Sequence, residues 1–194
     1  GGSDPQISGV VPSDIEFRRN YVDKPASWQG VWSVKNNLEL KLGVRVLIEG
    51  NIFENNWVDA QSGFSVLFKS VNQAGGAPWS ETRDVTFRYN IIRNVPHAIN
   101  LAAKPEPYTA VPMTKVLIAH NTFEHIGSGS YAGGRLWQSA DVSDLTFANN
   151  TGFGLTQGLI LLGTNVASRL AVENNVFGTS QQYFGSWDFA LSGD

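Results

Sequence analysis

One pattern of apolar and polar positions recurs along the chain: apolar, any, apolar, any, any, Asn, any, apolar. Six copies can be placed: Ile15, Phe17, Asn20, Val22; Val46, Ile48, Asn51, Phe53; Val85, Phe87, Asn90, Ile92; Val116, Ile118, Asn121, Phe123; Leu145, Phe147, Asn150; and Leu170, Val172, Asn175, Phe177. In the fifth copy Gly152 stands where the last apolar residue belongs. Alternation before the Asn turns two side chains to one face of a strand, and the apolar residue two places after it opens a second inward-facing strand. The Asn is expected to mark the corner between them. It tolerates the left-handed backbone of a sharp turn, and its amide can bond the amides of neighbouring coils.

A third apolar stretch follows in most copies: Leu38 and Leu40, Phe64 to Phe68, Ala98 to Leu101, Leu136 to Gln138, Leu159 to Leu162, and Phe189 to Leu191. Three strands and three corners in about 25 to 30 residues describe one turn of a solenoid. The predicted fold is therefore all-β: a single-stranded right-handed parallel β-helix of about six coils with an internal Asn ladder, residues 1–194 forming one domain. The spacings between successive Asn residues, 31, 39, 31, 29 and 25, vary because corner loops can lengthen while strands cannot. Outward positions add support, since stacked coils bring equivalent residues to strand spacing. Arg18, Glu49 and Arg88 fall in one column and Asp23, Glu54, Arg93 and Glu124 in another, both largely alternating in sign. An antiparallel sandwich would not place an Asn at the same offset in six segments, and the spacing of Leu in leucine-rich repeats is absent.

The runs Ser13-Asp14-Ile15-Glu16-Phe17-Arg18-Arg19-Asn20 and Arg45-Val46-Leu47-Ile48-Glu49-Gly50-Asn51-Ile52-Phe53-Glu54-Asn55-Asn56-Trp57 resemble the right-handed parallel β-helix repeat proteins of the pectate-lyase-like superfamily. The resemblance covers nearly the whole chain, but the matching motifs belong to the scaffold, which carries lyases, hydrolases, adhesins and phage tailspikes alike. It implies a secreted or cell-surface protein that meets a polysaccharide or oligosaccharide, in a groove over the third-strand sheet. No amphipathic helix precedes Ile15, so an open strand edge is expected there, suited to end-to-end self-association or to further coils.

Composition narrows the partners. Apolar residues make up 42% and charged residues 16% of the 194, which argues for a packed fold and against disorder or a coiled coil. With a net charge of −3 and no basic cluster, nucleic acid is not an expected partner. The longest apolar runs are too short for a membrane span. With no cysteine there is neither a disulfide nor a thiolate metal site.

Candidate chemistry gathers around the third strand. Long segments at 24–37 and 127–134 precede it and others at 70–83 and 102–114 follow it, which would make two walls over its sheet. Trp28, Trp32, Trp57 and Trp79 lie in or beside these segments and Trp137 on the floor; indole faces suit the apolar patches of sugar rings. Such residues equally well cover coil surface beneath long loops. Glu39 and Lys41 flank Leu40 and are expected to point outward, with Ser65, Lys69, Asn100 and Gln138 nearby in successive coils. For a lyase, Lys41 or Lys69 would serve as base and Arg135 as the cation neutralising developing charge. For a glycoside hydrolase, Glu39 and Asp59 would be the carboxylate pair. The plainer alternative is a Glu39–Lys41–Lys69 surface network. No cofactor or metal is expected, because Arg93 interrupts the acidic column and the three histidines, His97, His120 and His125, lack ligand spacing and read as surface or corner residues. Whether the protein is an enzyme is left open at this stage: carbohydrate binding with or without cleavage stands beside a non-catalytic structural or adhesive solenoid.

Overall fold

The structure is a computed structural model that describes residues 4–102, 108–128, 130, 131, 133–140, 142–156, 160–162, 168–179 and 184–186. These residues form strands in threes along the chain. They are β1 (Ser13–Arg18), β2 (Tyr21–Asp23) and β3 (Leu38–Leu40); β4 (Gly43–Glu49), β5 (Ile52–Glu54) and β6 (Phe64–Lys69); and β7 (Thr82–Arg88), β8 (Ile91–Val95) and β9 (His97–Ala102). The series continues with β10 (Thr114–Ala119), β11 (Thr122–Ile126) and β12 (Trp137–Ala140); β13 (Ser143–Ala148), β14 (Thr151–Leu155) and β15 (Ile160–Leu162); and β16 (Leu170–Glu173), β17 (Val176–Thr179) and β18 (Phe184–Ser186). Every third strand pairs in parallel, giving three six-stranded sheets: β1-β4-β7-β10-β13-β16 (sheet A), β2-β5-β8-β11-β14-β17 (sheet B) and β3-β6-β9-β12-β15-β18 (sheet C). This is a parallel β-helix. Its last third-strand element is Phe184–Ser186, whereas the segment Phe189 to Leu191 lies outside the described residues.

Sheet register stacks like on like. Val46, Val85, Val116 and Leu145 pair in sequence down sheet A, as do Ile48, Phe87, Ile118 and Phe147. All eight are buried in one core with Phe53, Ile92 and Phe123 of sheet B and Val66, Phe68, Ile99 and Leu101 of sheet C. Burial of such side chains is worth about 1.5–3 kcal/mol each before entropy is counted. The gap at Gly152 has a spatial cause: a Cβ there would meet the Phe177 ring at 2.8 Å, so the ring from the next coil occupies the volume.

At the corner between sheets A and B the asparagines bond along the stack. Asn51 Oδ1 accepts from the backbone N–H of Asn20 at 2.9 Å and from its Nδ2 at 3.0 Å, while Asn51 Nδ2 donates to Asn90 Oδ1 and to the Phe17 carbonyl, each at 2.9 Å. The same arrangement repeats from Asn90 to Asn121, Asn150 and Asn175. The left-handed residue is not the Asn itself, as the sequence reading expected, but the one before it. Arg19, Gly50, Tyr89, His120, Asn149 and Asn174 all have φ between 53° and 67°. The turn is thereby made outside the corner, which leaves the Asn amide free to point inward.

A second left-handed series lies in sheet A one residue before the first core position: Asp14, Arg45, Asp84, Lys115, Asp144 and Arg169. These residues alternate strictly in sign down the stack. Arg45 pairs with Asp14 at 2.6 Å, Lys115 with Asp84 at 3.8 Å, and Arg169 with Asp144. Arg45 holds the exposed Asp14 carboxyl at about 2. The two outward columns read from the sequence also pair, Glu49 with Arg18 at 2.7 Å and Arg88 at 2.6 Å, and Glu54 with Arg93 at 2.8 Å.

The Asn stack generates a graded expectation. Asn90→Ala removes four side-chain hydrogen bonds and strands the buried amides of Asn51. It is expected to lower stability in urea denaturation by about 3 kcal/mol. Asn20→Ala, at the half-exposed end of the stack with two side-chain bonds, is expected to cost about 1 kcal/mol or less. Equal losses at the two positions would contradict the account.

Candidate functional site

The outward face of sheet C is the place to examine, because the long loops flank it. Since Leu38, Val66, Ile99 and Trp137 share an inward register, the outward column reads Glu39, Leu67, Asn100, Gln138. This column is not the floor of an open groove: Leu67 is 1% exposed, Asn100 3% and Gln138 7%. Loop residues bond at the rim of the sheet. Asn36 Nδ2 donates to the Phe64 carbonyl at 2.8 Å and the Asn37 N–H to the Ser65 carbonyl at 2.7 Å, so the first loop seals the start of β6. From the fourth coil the Tyr131 hydroxyl reaches back to Asn55 Oδ1 at 2.9 Å.

The catalytic candidates separate accordingly. Lys41 pairs with Glu39 at 3.5 Å. Arg135 donates to Gln138 Oε1 at 2.9 Å. Gln138 is three strands from Glu39 in register, or about 14 Å at about 4.8 Å per strand, so a base and a neutralising cation do not converge. Asp59 does not meet Glu39 either: its Oδ2 accepts the Val34 N–H at 2.8 Å and ties the two corner loops together. Lys69 does not stand beside Glu39, since Glu39 pairs with Leu67 and Lys69 with Ala102.

The tryptophans divide into three groups. Trp137 belongs to the core, fully buried and stacked on Phe147 with ring centroids 4.9 Å apart and an interplanar angle of 4°, because it occupies an inward position of β12. It therefore cannot offer a face on the floor. Trp79 is half-buried on the 70–81 loop, across sheet C from the others. Trp28, Trp32 and Trp57 sit together on the opposite corner. Trp28 closes a single 3-10 turn, Ala26–Trp28, and its carbonyl accepts the N–H groups of Val31 and Trp32, both at 2.9 Å. This knuckle leaves Trp28 41% and Trp32 64% exposed, while Trp57 is buried beneath. Between Trp32 and Trp57 opens a pocket of about 360 Å³ lined by Gln29, Gly30, Val31, Trp32, Ser33, Trp57, Val58 and Asp59. It joins an indole face to a carboxylate, an amide and a hydroxyl.

Two groups beneath these loops were not singled out by the sequence pattern. Lys24 donates to Asn56 Oδ1 at 2.9 Å and to the Lys35 carbonyl, and burial pulls its ammonium down to about 8. His97 stands at the corner where β9 begins, half-buried. Its Nδ1 accepts the Arg135 N–H at 3.0 Å, its ring lies 4.9 Å from that of Phe64, and a Cβ on Gly133 would come within 2.7 Å of it. Burial, reinforced by the nearby Arg135 charge, holds its pKa at about 4. Neither position carries a spacing signal, because what buries them is a loop whose path the apolar pattern does not encode. His120 and His125 are exposed, at left-handed corner positions. Among the described residues no group of three His, Asp or Glu side chains converges as metal ligands, and no helix is long and apolar enough to cross a membrane.

No family model and no curated protein matches the sequence. A similar solved structure is that of the Streptococcus pneumoniae surface protein and adhesin PfbA, at 10% identity over 88% of this chain and a TM-score of 0.24. This chain spans 66% of the length of that structure. So weak a superposition says nothing of what this chain binds.

The state of His97 is open to titration. Its folded pKa of about 4 lies below the ordinary 6.5, so the unfolded chain binds the extra proton and stability falls as pH drops from 6.5 towards 4. The His97 contribution to that loss is on the order of 3 kcal/mol. In His97→Asn, which keeps an acceptor for the Arg135 N–H, urea midpoints measured between pH 7 and pH 4 should fall less steeply than in the wild type. Parallel pH profiles would refute a buried neutral histidine.

Proposed function

We propose that this β-helix is a glycan-binding protein of the cell surface or extracellular space, of the pectate-lyase-like kind. We place its binding site in the pocket between the 29–33 and 57–59 segments, at the rim of sheet C. The observation that carries the reading is the Trp32 indole, 64% exposed on a knuckle held by two backbone hydrogen bonds and set beside polar side chains in a pocket of about 360 Å³. A sugar ring has apolar C–H patches that stack on such a face and hydroxyls that bond its surroundings. Asp59 Oδ2 is committed to Val34, and Gln29 and Ser33 add amide and hydroxyl groups to the lining. Binding without cleavage is the better-supported form, because Lys41 and Glu39 neutralise one another three strands from the residue that Arg135 contacts.

A second reading, a non-catalytic structural or adhesive solenoid able to associate end to end through its edge strands, is favoured by one observation: Leu67, Asn100 and Gln138 in the outward column of sheet C are buried.

Titration with a panel of neutral and uronate-containing polysaccharides, followed by tryptophan fluorescence and calorimetry, separates these. Saturable quenching is expected, with Trp32→Ala weakening affinity at least about tenfold, the loss expected of a stacking face at a binding hot spot. Asp59→Asn should weaken it less. No response across the panel, or unchanged binding by Trp32→Ala, would overturn the proposal. Unsaturated-product absorbance or new reducing ends, abolished by Lys41→Ala, would instead establish cleavage.

A further inference from the structure

The corner between sheets C and A holds a site of a different kind. The loop between β6 and β7 directs three consecutive-region backbone N–H groups at one carboxylate, that of Asp4. Gln73 donates to Oδ1 at 2.6 Å, and Ala74 and Gly76 donate to Oδ2 at 3.1 and 3.3 Å. Gly75 makes this convergence. Its φ of +84° lies where L side chains are strained, and the inversion of the chain there turns the amides on either side of it towards the same oxygen. The loop is braced independently of Asp4: Asn72 Oδ1 accepts the Ala77 N–H at 2.9 Å, Asn72 Nδ2 donates to the Thr109 carbonyl at 2.9 Å, and the Tyr108 ring packs 3.3 Å from where a Gly75 Cβ would stand.

The occupant is held less firmly than the receptor. Asp4 belongs to a segment whose residues 6–10 are exposed, and the other hydrogen bonds along it are local, Gln6 Nε2 to the Asp4 carbonyl and the Val10 N–H to the Ile7 carbonyl. Beside the amides lies a pocket of about 520 Å³ lined by Asp4, Pro5, Gln6, Gln73, Ala74, Gly76 and Trp79. The half-buried Trp79 side chain contributes to its wall. An anion nest, a volume in the range of small-molecule sites and an aromatic wall form a receptor larger than one aspartate side chain needs.

We infer that the 72–77 loop is a binding site for a small carboxylate ligand, and that Asp4 occupies it as an internal competitor that an external carboxylate replaces when residues 4–10 lift away. The site stands apart from the glycan pocket, on the opposite side of sheet C, and the two can succeed or fail separately. Three amides around one carboxylate supply charge-assisted hydrogen bonds, stronger than neutral ones, and need no cationic side chain. A tethered carboxylate competes at an effective concentration in the millimolar range or above, so ligand affinity is masked while Asp4 is present.

Acetate is the probe, titrated into the full chain with the amide resonances of Gln73, Ala74 and Gly76 followed by nuclear magnetic resonance. In Asp4→Ala these three amides should shift saturably with acetate, at a half-saturation at least about tenfold lower than in the wild type. Acetamide, without the charge, should leave them unmoved. Adding Gly75→Ala to Asp4→Ala should abolish the response while the sheet amides keep their positions. Failure of acetate to shift these amides in Asp4→Ala, or equal responses in wild type and variant, would overturn the inference. Asp4→Asn provides a check should Asp4→Ala prove unstable: it keeps an oxygen acceptor but removes the charge, and acetate should compete it off more readily than it does Asp4.

Discussion

A polar side chain at the inner corner of a solenoid must find all its hydrogen bonds inside the protein, and here the same side chain one coil away and the backbone beside it supply them. Asn51, Asn90, Asn121 and Asn150 are each 1% exposed or less, yet every one has its amide oxygen and nitrogen bonded to neighbours in the stack. That requirement propagates. An Asn displaced by one residue would leave buried donors and acceptors unmatched at about 1–3 kcal/mol apiece. It would also turn the apolar residues before and after it out of the core. The corner between sheets A and B is accordingly tight in all six turns, and the variation in coil length is taken up at the other two corners.

Those two corners are where the chemistry collects. The loops entering sheet C carry Trp28, Trp32, Trp57 and Asp59, and the loop leaving β6 carries the amide nest and Trp79. Between them Leu67, Asn100 and Gln138 of the sheet face are buried. Among the described residues the scaffold thus presents a pocket at each rim of the sheet in place of one continuous groove. A rigid stack supplies the positions, and the loops, free of the Asn constraint, supply the side chains.

The three parallel sheets were legible in the sequence because inward positions repeat with a period of two on either side of a fixed residue, and only a stacked strand satisfies that. The alternating column Asp14, Arg45, Asp84, Lys115, Asp144, Arg169 was equally present in the sequence, one place before each first apolar residue, but it takes the left-handed backbone at these positions to explain it. The left-handed corner residue was read one place late. Propensity points to Asn, whereas the structure puts Arg19, Tyr89 and His120 in that conformation so that the Asn amide can face inward. Site residues were less legible for a physical reason. Trp137 sits on an inward position of a strand whose start the pattern located only to within a residue or two, so an indole expected at the surface is packed on Phe147. His97 and Lys24 are half-buried against loop residues, and Asp4 meets a loop some seventy positions away; none of these contacts follows a period.

The claim that the corner amides hold the coils together is tested most directly by hydrogen exchange at individual backbone amides. Each of the Asn51, Asn90 and Asn121 N–H groups donates to the side-chain oxygen of the next asparagine and not to a strand. The account predicts that these three exchange as slowly as the central amides of β7 and β10, opening only when the solenoid unfolds as a whole. Exchange at the rate of the surface loops, while the strands on either side remain protected, would contradict it.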